Sequence, residues 1–188
     1  MFSSWLSDII IKKSNVPEED IVVLKYGLLK MFMLIEDIIF TLALGLALGI
    51  ITDSIIFQIS FMLLRLYAGG YHSKTEIRCK IHSVLVTAVS LTGIRLMPAG
   101  YPPMCFIMIM ASLIIGILSP VEAKNKPLSE TEKEVNYKKT IGILIMLNLI
   151  AIIDLIFRWG VFYRAITIVV SGVGILVIAG EIDNRSKR

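Results

Sequence analysis

The chain alternates between long apolar runs and short polar clusters. Six runs are long enough to cross, or nearly cross, a bilayer: Met31–Ile51, Ser54–Leu66, Cys79–Met97, Pro103–Ser119, Thr140–Phe157 and Gly160–Gly180. A spanning helix needs about 20 residues, or about 17 at the short end. The second run has 13 and would require local distortion of the bilayer. Ahead of these runs, Phe2, Trp5, Leu6, Ile9 and Ile10 fall at helical spacing before Lys12 and Lys13, the pattern of a short interfacial helix. Asn15-Val16-Pro17-Glu18-Glu19-Asp20 reads as a helix start, because proline and acids suit a first turn. The predicted architecture is all-α: one integral membrane domain over 1–188, with interfacial helices in 1–30, a six-helix core in 31–180 and a tail in 181–188.

Composition agrees with that pattern. Of the 188 residues, 56% are hydrophobic and only 18% charged, against about a quarter charged in soluble domains. A soluble core could not bury so much apolar surface. Residues 1–13 lack a basic segment ahead of an apolar one, so no signal peptide is expected.

The position of the 19 basic residues orients the predicted spans. With the N-terminus inside the cell, 16 of them fall in 1–30, 65–80, 120–139 and 181–188, leaving Arg95, Arg158 and Arg164 outside. Positive residues favour the cytoplasmic side, so both termini and the 65–80 loop are expected there. Cys79 and Cys105 then lie near opposite faces, too far apart for a disulfide. Cys105, between Met104 and Phe106, reads as a packing residue. The basic clusters lie at span ends rather than forming a nucleic-acid surface.

The polar chemistry concentrates in Leu63–Leu85, LLRLYAGGYHSKTEIRCKIHSVL. Gly69-Gly70 disfavours a continuous helix, each glycine costing about 1 kcal/mol against alanine. Ser73-Lys74-Thr75-Glu76 reads as a capping box, which would start a helix at Lys74 and put Cys79 in its second turn. A thiol near a helix N-terminus, beside Lys74, Arg78 and Lys80, sits in positive potential that favours the nucleophilic thiolate. On one straight helix His72 and Cys79 would lie about 10 Å apart along the axis. The glycine break would let His72 fold back to form a Cys–His pair for acyl transfer, and would open backbone amides as oxyanion donors. His82, three residues after Cys79, competes for the same role. With His72 it also leaves open a metal site of three ligands at most. The plainest reading is a basic loop that fixes topology and nothing more.

The pattern Arg65-x-x-Ala68-x-Gly70-x-His72, with Cys79 seven residues after the histidine, resembles the signature of the AgrB family, the integral membrane peptidases of accessory-gene-regulator quorum sensing. Ser119-Pro120-Val121-Glu122-Ala123-Lys124-Asn125-Lys126-Pro127 is similar to that family's basic, proline-bounded loop after the fourth span. The resemblance implies that Cys79 is the nucleophile and His72 its base. It implies that the substrate is an AgrD-like propeptide, cut through a thioester on the cysteine and cyclised to a lactone or thiolactone. It implies a multi-pass protein of the cell membrane, and the reading calls for no cofactor and no metal. Arg65, Gly69 and Gly70 would position the loop. Lys124, Lys126, Lys138 and Lys139 could bind an acidic propeptide tail, and with Lys12 and Lys13 anionic lipid. Glu36 or Asp37, costly inside the first run, could orient His72.

Asn148 and Asp154 are expected to make interhelical hydrogen bonds. Ser171, Gly172 and Gly174 would allow close helix approach, compatible with a homodimer. The competing functions are a peptide or solute transporter, whose polar path these few groups hardly define, and a non-catalytic membrane scaffold.

Overall fold

The computed structural model describes residues 18–71, 75–98, 103–122 and 128–186. They form six helices: α1 (Glu18–Ala47), α2 (Ile51–Ala68), α3 (Glu76–Leu96), α4 (Pro103–Leu118), α5 (Glu130–Phe157) and α6 (Tyr163–Arg185). Among the described residues the extended contacts amount to one isolated parallel bridge, Gly69 to Val121. The proposed interfacial helix at 1–13 lies outside the described residues.

Four helices, α2, α3, α5 and α6, are long and apolar enough to cross a membrane, and α4 is a shorter apolar helix. The chain is an all-α, multi-pass membrane protein. It divides into two compact units, residues 1–40 and 41–188. The first contributes most of α1, which runs unbroken past Lys25 and Lys30 and carries Glu36 and Asp37.

In the second unit α6 is the hub. It packs against α2, α3, α4 and α5. Half of its apolar span is buried, against 17% for α3. Its inward face is built from Ala165, Ile166, Val169, Val170, Val173 and Val177, all essentially inaccessible. Lipid tails are as apolar as these side chains, so close packing and hydrogen bonds must hold the helices together. Gly174 supplies one such approach: a Cβ there would sit 3.2 Å from the Ala111 Cβ on α4. That glycine is used within the chain, whereas Gly172, which was grouped with it, has open space where a Cβ would go. Asn148 of α5 donates to the Ser112 hydroxyl of α4 at 2.9 Å, a bond worth roughly 0.6 kcal/mol in a bilayer.

Two expectations change and one is met in an unforeseen form. The second apolar helix has 18 residues rather than 13, and it begins at Ile51 because α1 stops at Ala47. There Gly49 takes φ +69°, with Ile50 N–H on the Gly45 carbonyl at 2.8 Å and Gly49 N–H on the Leu46 carbonyl at 3.1 Å. This is the glycine-terminated Schellman pattern. The extra length holds a buried Asp53, made tolerable by Arg164 Nη2 at 3.1 Å on its carboxylate. The interhelical bond expected of Asp154 is present and runs from α5 to the start of α6. The Asp154 carboxylate accepts from the Val161 and Tyr163 amides at 3.2 and 2.9 Å and so caps the start of α6. Finally, the predicted tail beyond residue 180 is helical as far as Arg185.

Candidate active site

The glycine-broken loop forms where the last turn of α2 meets the C-terminal half of α6. Helix α2 ends at Ala68, and Gly69 and Gly70 follow with φ of +69° and +118°, values that side chains with a Cβ rarely adopt. The break lies where the sequence predicted it. Two groups then fix the loop. The Arg65 guanidinium, one turn back on α2, forks onto the Gly69 and Tyr71 carbonyls through its two terminal nitrogens. The segment after α4 supplies the second hold: Val121 N–H donates to the Ala68 carbonyl at 3.0 Å, and Gly70 N–H donates to the Val121 carbonyl at 3.4 Å. The two stretches that carry the family resemblance are therefore neighbours, joined through their backbones.

The nucleophile candidate lies on the next helix. Thr75, not Ser73, caps α3, its hydroxyl accepting from the Arg78 amide. The helix starts at Glu76, so Cys79 falls in the first turn rather than the second. Ser73 and Thr75, two residues apart, are of similar capping ability, and Ser73 lies outside the described residues. Cys79 is half-buried and free. The competing histidine, His82, packs its ring on Tyr71 with centroids 5.3 Å apart. It thereby ties α3 to the loop. His72 itself, with Lys74, lies outside the described residues.

The oxyanion expectation is narrowed. The amides of Gly69, Gly70 and Tyr71 are all engaged, by the Arg65, Val121 and Leu176 carbonyls respectively. The break therefore leaves none of these three for a developing oxyanion.

Lysines near the loop are largely committed. Lys139 stacks over the Tyr67 ring at 4.8 Å, which brings it beside the end of α2. Lys138 pairs with Glu134 at 2.7 Å. Lys133, which the sequence did not single out, bridges Glu130 and Glu122 at 2.8 and 2.9 Å. Glu130 and then Glu122 hold its ammonium above the usual lysine range. Lys124 and Lys126 lie outside the described residues. The polar start of α5 is set by a capping box, in which Ser129 and Glu132 satisfy each other's amides. Beside it opens a cleft of about 470 Å³ lined by Pro120, Glu130, Thr131, Lys133, Glu134 and Tyr137.

Sequence reasoning missed the part α6 plays. The Leu176 carbonyl accepts from Tyr71 N–H at 2.8 Å, Gly180 lies against the loop backbone, and Asn184 donates to the Glu122 carbonyl at 3.1 Å. Only their spacing of four hinted at a common face.

Residues 3–179 match the family model described as accessory gene regulator B. Among curated proteins, one named as AgrB-like protein 2 from Clostridium perfringens strain 13 is 25% identical over 146 residues, covering 73% of this chain and 67% of that one. A second, named as AgrB-like, from Clostridium perfringens strain SM101 is 24% identical over 163 residues, covering 82% and 74%. No solved structure matches the chain. With the family model spanning almost its whole length, the chain belongs to the accessory gene regulator B family, membrane proteins of quorum-sensing peptide processing.

Proposed function

We propose that the chain is a membrane cysteine endopeptidase that removes the C-terminal tail of an AgrD-like propeptide at the cytoplasmic face. The observation that carries the reading is the placement of the loop against α3. Arg65 grips the carbonyls of Gly69 and Tyr71, the latter one residue before His72, and the Tyr71 ring packs on His82, one turn after Cys79.

In this reading Cys79 is the nucleophile and His72 the base. His72 accepts the thiol proton, and the Cys79 sulfur attacks the scissile carbonyl carbon. The tetrahedral adduct collapses as the C–N bond breaks, and the imidazolium returns its proton to the departing amine. The tail leaves, and the peptide remains as a thioester on Cys79. An internal thiol or hydroxyl of the same peptide then attacks that thioester, closing the ring and releasing the Cys79 sulfur. Each step moves one acyl group and one proton, with no change of oxidation state. Transfer rather than hydrolysis requires that water be kept from the thioester, and a site against the bilayer helps.

Arg65, Gly69 and Gly70 position the loop. The cleft beside Pro120 offers a path for the extended propeptide, and Lys124, Lys126, Lys138 and Lys139 meet acids in its tail. Anionic lipid and a second copy of the chain are further partners within this proposal.

The test is co-expression of a doubly tagged propeptide with the wild type, Cys79→Ala and His72→Ala. Tail removal by the wild type alone is the expected result. Undiminished removal by either variant would refute the assignment.

A further inference from the structure

We infer that a stripe on α6, Leu176–Gly180–Asn184, is the seat that positions the catalytic loop, with Gly180 as its critical member; the inference rests on the peptidase reading above. These residues recur every four positions and so lie along one side of the helix. Each engages one of the two segments that resemble the family signature. Leu176 contributes its carbonyl to Tyr71 N–H at 2.8 Å. Asn184 Nδ2 donates to the Glu122 carbonyl at 3.1 Å. Gly180, between them, has no side chain, and the loop occupies that space. A Cβ there would lie 2.6 Å from Tyr71 N, 2.7 Å from the Gly70 carbonyl carbon and 3.0 Å from the Gly70 Cα.

The contact is of backbone on backbone, so no side-chain rotation can relieve it. Ordinary van der Waals separation begins near 3.4 Å. An alanine at 180 must therefore push the loop, or tilt α6, by close to an ångström. The displaced residues are Gly70 and Tyr71, and His72 is the next in the chain. Misplacing a reacting group by about 1 Å can slow a reaction roughly 100-fold. The stripe thus acts on the reaction through the loop, without touching substrate. Gly172, on the same helix, has open space where a Cβ would go, which provides an internal control.

The experiment measures propeptide cleavage by full-length protein in detergent–lipid micelles, with thermal unfolding of the same samples. Gly180→Ala is expected to lower kcat roughly 100-fold, with KM within about threefold and the protein still folded at the assay temperature. Gly172→Ala should match the wild type. Asn184→Ala creates no clash and is expected to lower kcat about fivefold, the equivalent of one ordinary hydrogen bond. Wild-type kcat in Gly180→Ala would overturn the inference, as would a loss shared by Gly172→Ala. A loss matched by the fraction unfolded at the assay temperature would mean a purely structural role and would also overturn it. If Gly180→Ala does not fold, Asn184→Ala decides, and wild-type turnover there refutes the seat. Cys79→Ala and His72→Ala are measured alongside. Cleavage by either sinks the peptidase reading itself, a failure distinct from any result at α6.

Discussion

Replacing Arg65 by lysine isolates what its fork does. The guanidinium reaches the Gly69 and Tyr71 carbonyls with two separate nitrogens, whereas a lysine ammonium is a single point charge that can hold one of them. The positive charge is kept, so the substitution removes geometry more than electrostatics. A hydrogen bond from a charged donor contributes about 1.5–3 kcal/mol net. The loop remains tied by Tyr71 to Leu176 and by Gly70 to Val121, so the fold should survive and the lower part of that range applies. Taking about 1.5–2 kcal/mol, the seated loop is disfavoured about 10- to 30-fold, and propeptide cleavage should slow by the same factor. Arg65→Gln removes the charge as well and should be slower still. The assay is a time course of tail removal in membranes with substrate in excess, normalised to protein level. Cleavage by Arg65→Lys at the wild-type rate would show that the fork does not position the loop.

Two further substitutions probe the frame. Gly49→Ala forces a Cβ into a backbone with φ +69° although nothing crowds that Cβ, so it should destabilise by about 1–2 kcal/mol. Gly142→Ala, in the interior of α5 with equally open space, should instead stabilise by about 0.5–1 kcal/mol; denaturation in micelles distinguishes the signs, and equal shifts would refute the turn argument. Asp154→Ala strips two amides of their acceptor at a site only 1% exposed and should lower stability by about 2–4 kcal/mol. Asp154→Asn keeps one acceptor oxygen and should lose about half as much; unchanged unfolding in both variants would count against the cap.

What the sequence made legible was chiefly local. The apolar runs anticipated the helices, and Gly69-Gly70 marked the chain reversal because two adjacent glycines have no other economical use there. Where two local signals competed, the reading erred: Ser73 and Thr75 are both good caps, and only the fold selects Thr75. Gly49 and the Ser129-x-x-Glu132 box were readable signals that went unread, the first lost within an apolar run. Long-range arrangements left no such trace. Nothing near Asp154 says that it caps the next helix, and nothing near residue 71 says that its amide belongs to Leu176. Bonds between residues a hundred positions apart depend on how the helices pack, which a single sequence does not write out.

The dependence on Leu176 has a consequence for biogenesis. The loop leaves the ribosome about a hundred residues before the helix that receives it, a delay of about 5–20 s at usual elongation rates. During that interval Arg65, Cys79 and His82 are already made, but the Tyr71 amide still lacks its Leu176 acceptor. On the peptidase proposal, a nascent chain halted before α6 would carry Cys79 and still leave propeptide intact, which ribosome-arrested membranes can test. Activity would thus be withheld until the bundle closes, a safeguard against a half-inserted protein releasing signal.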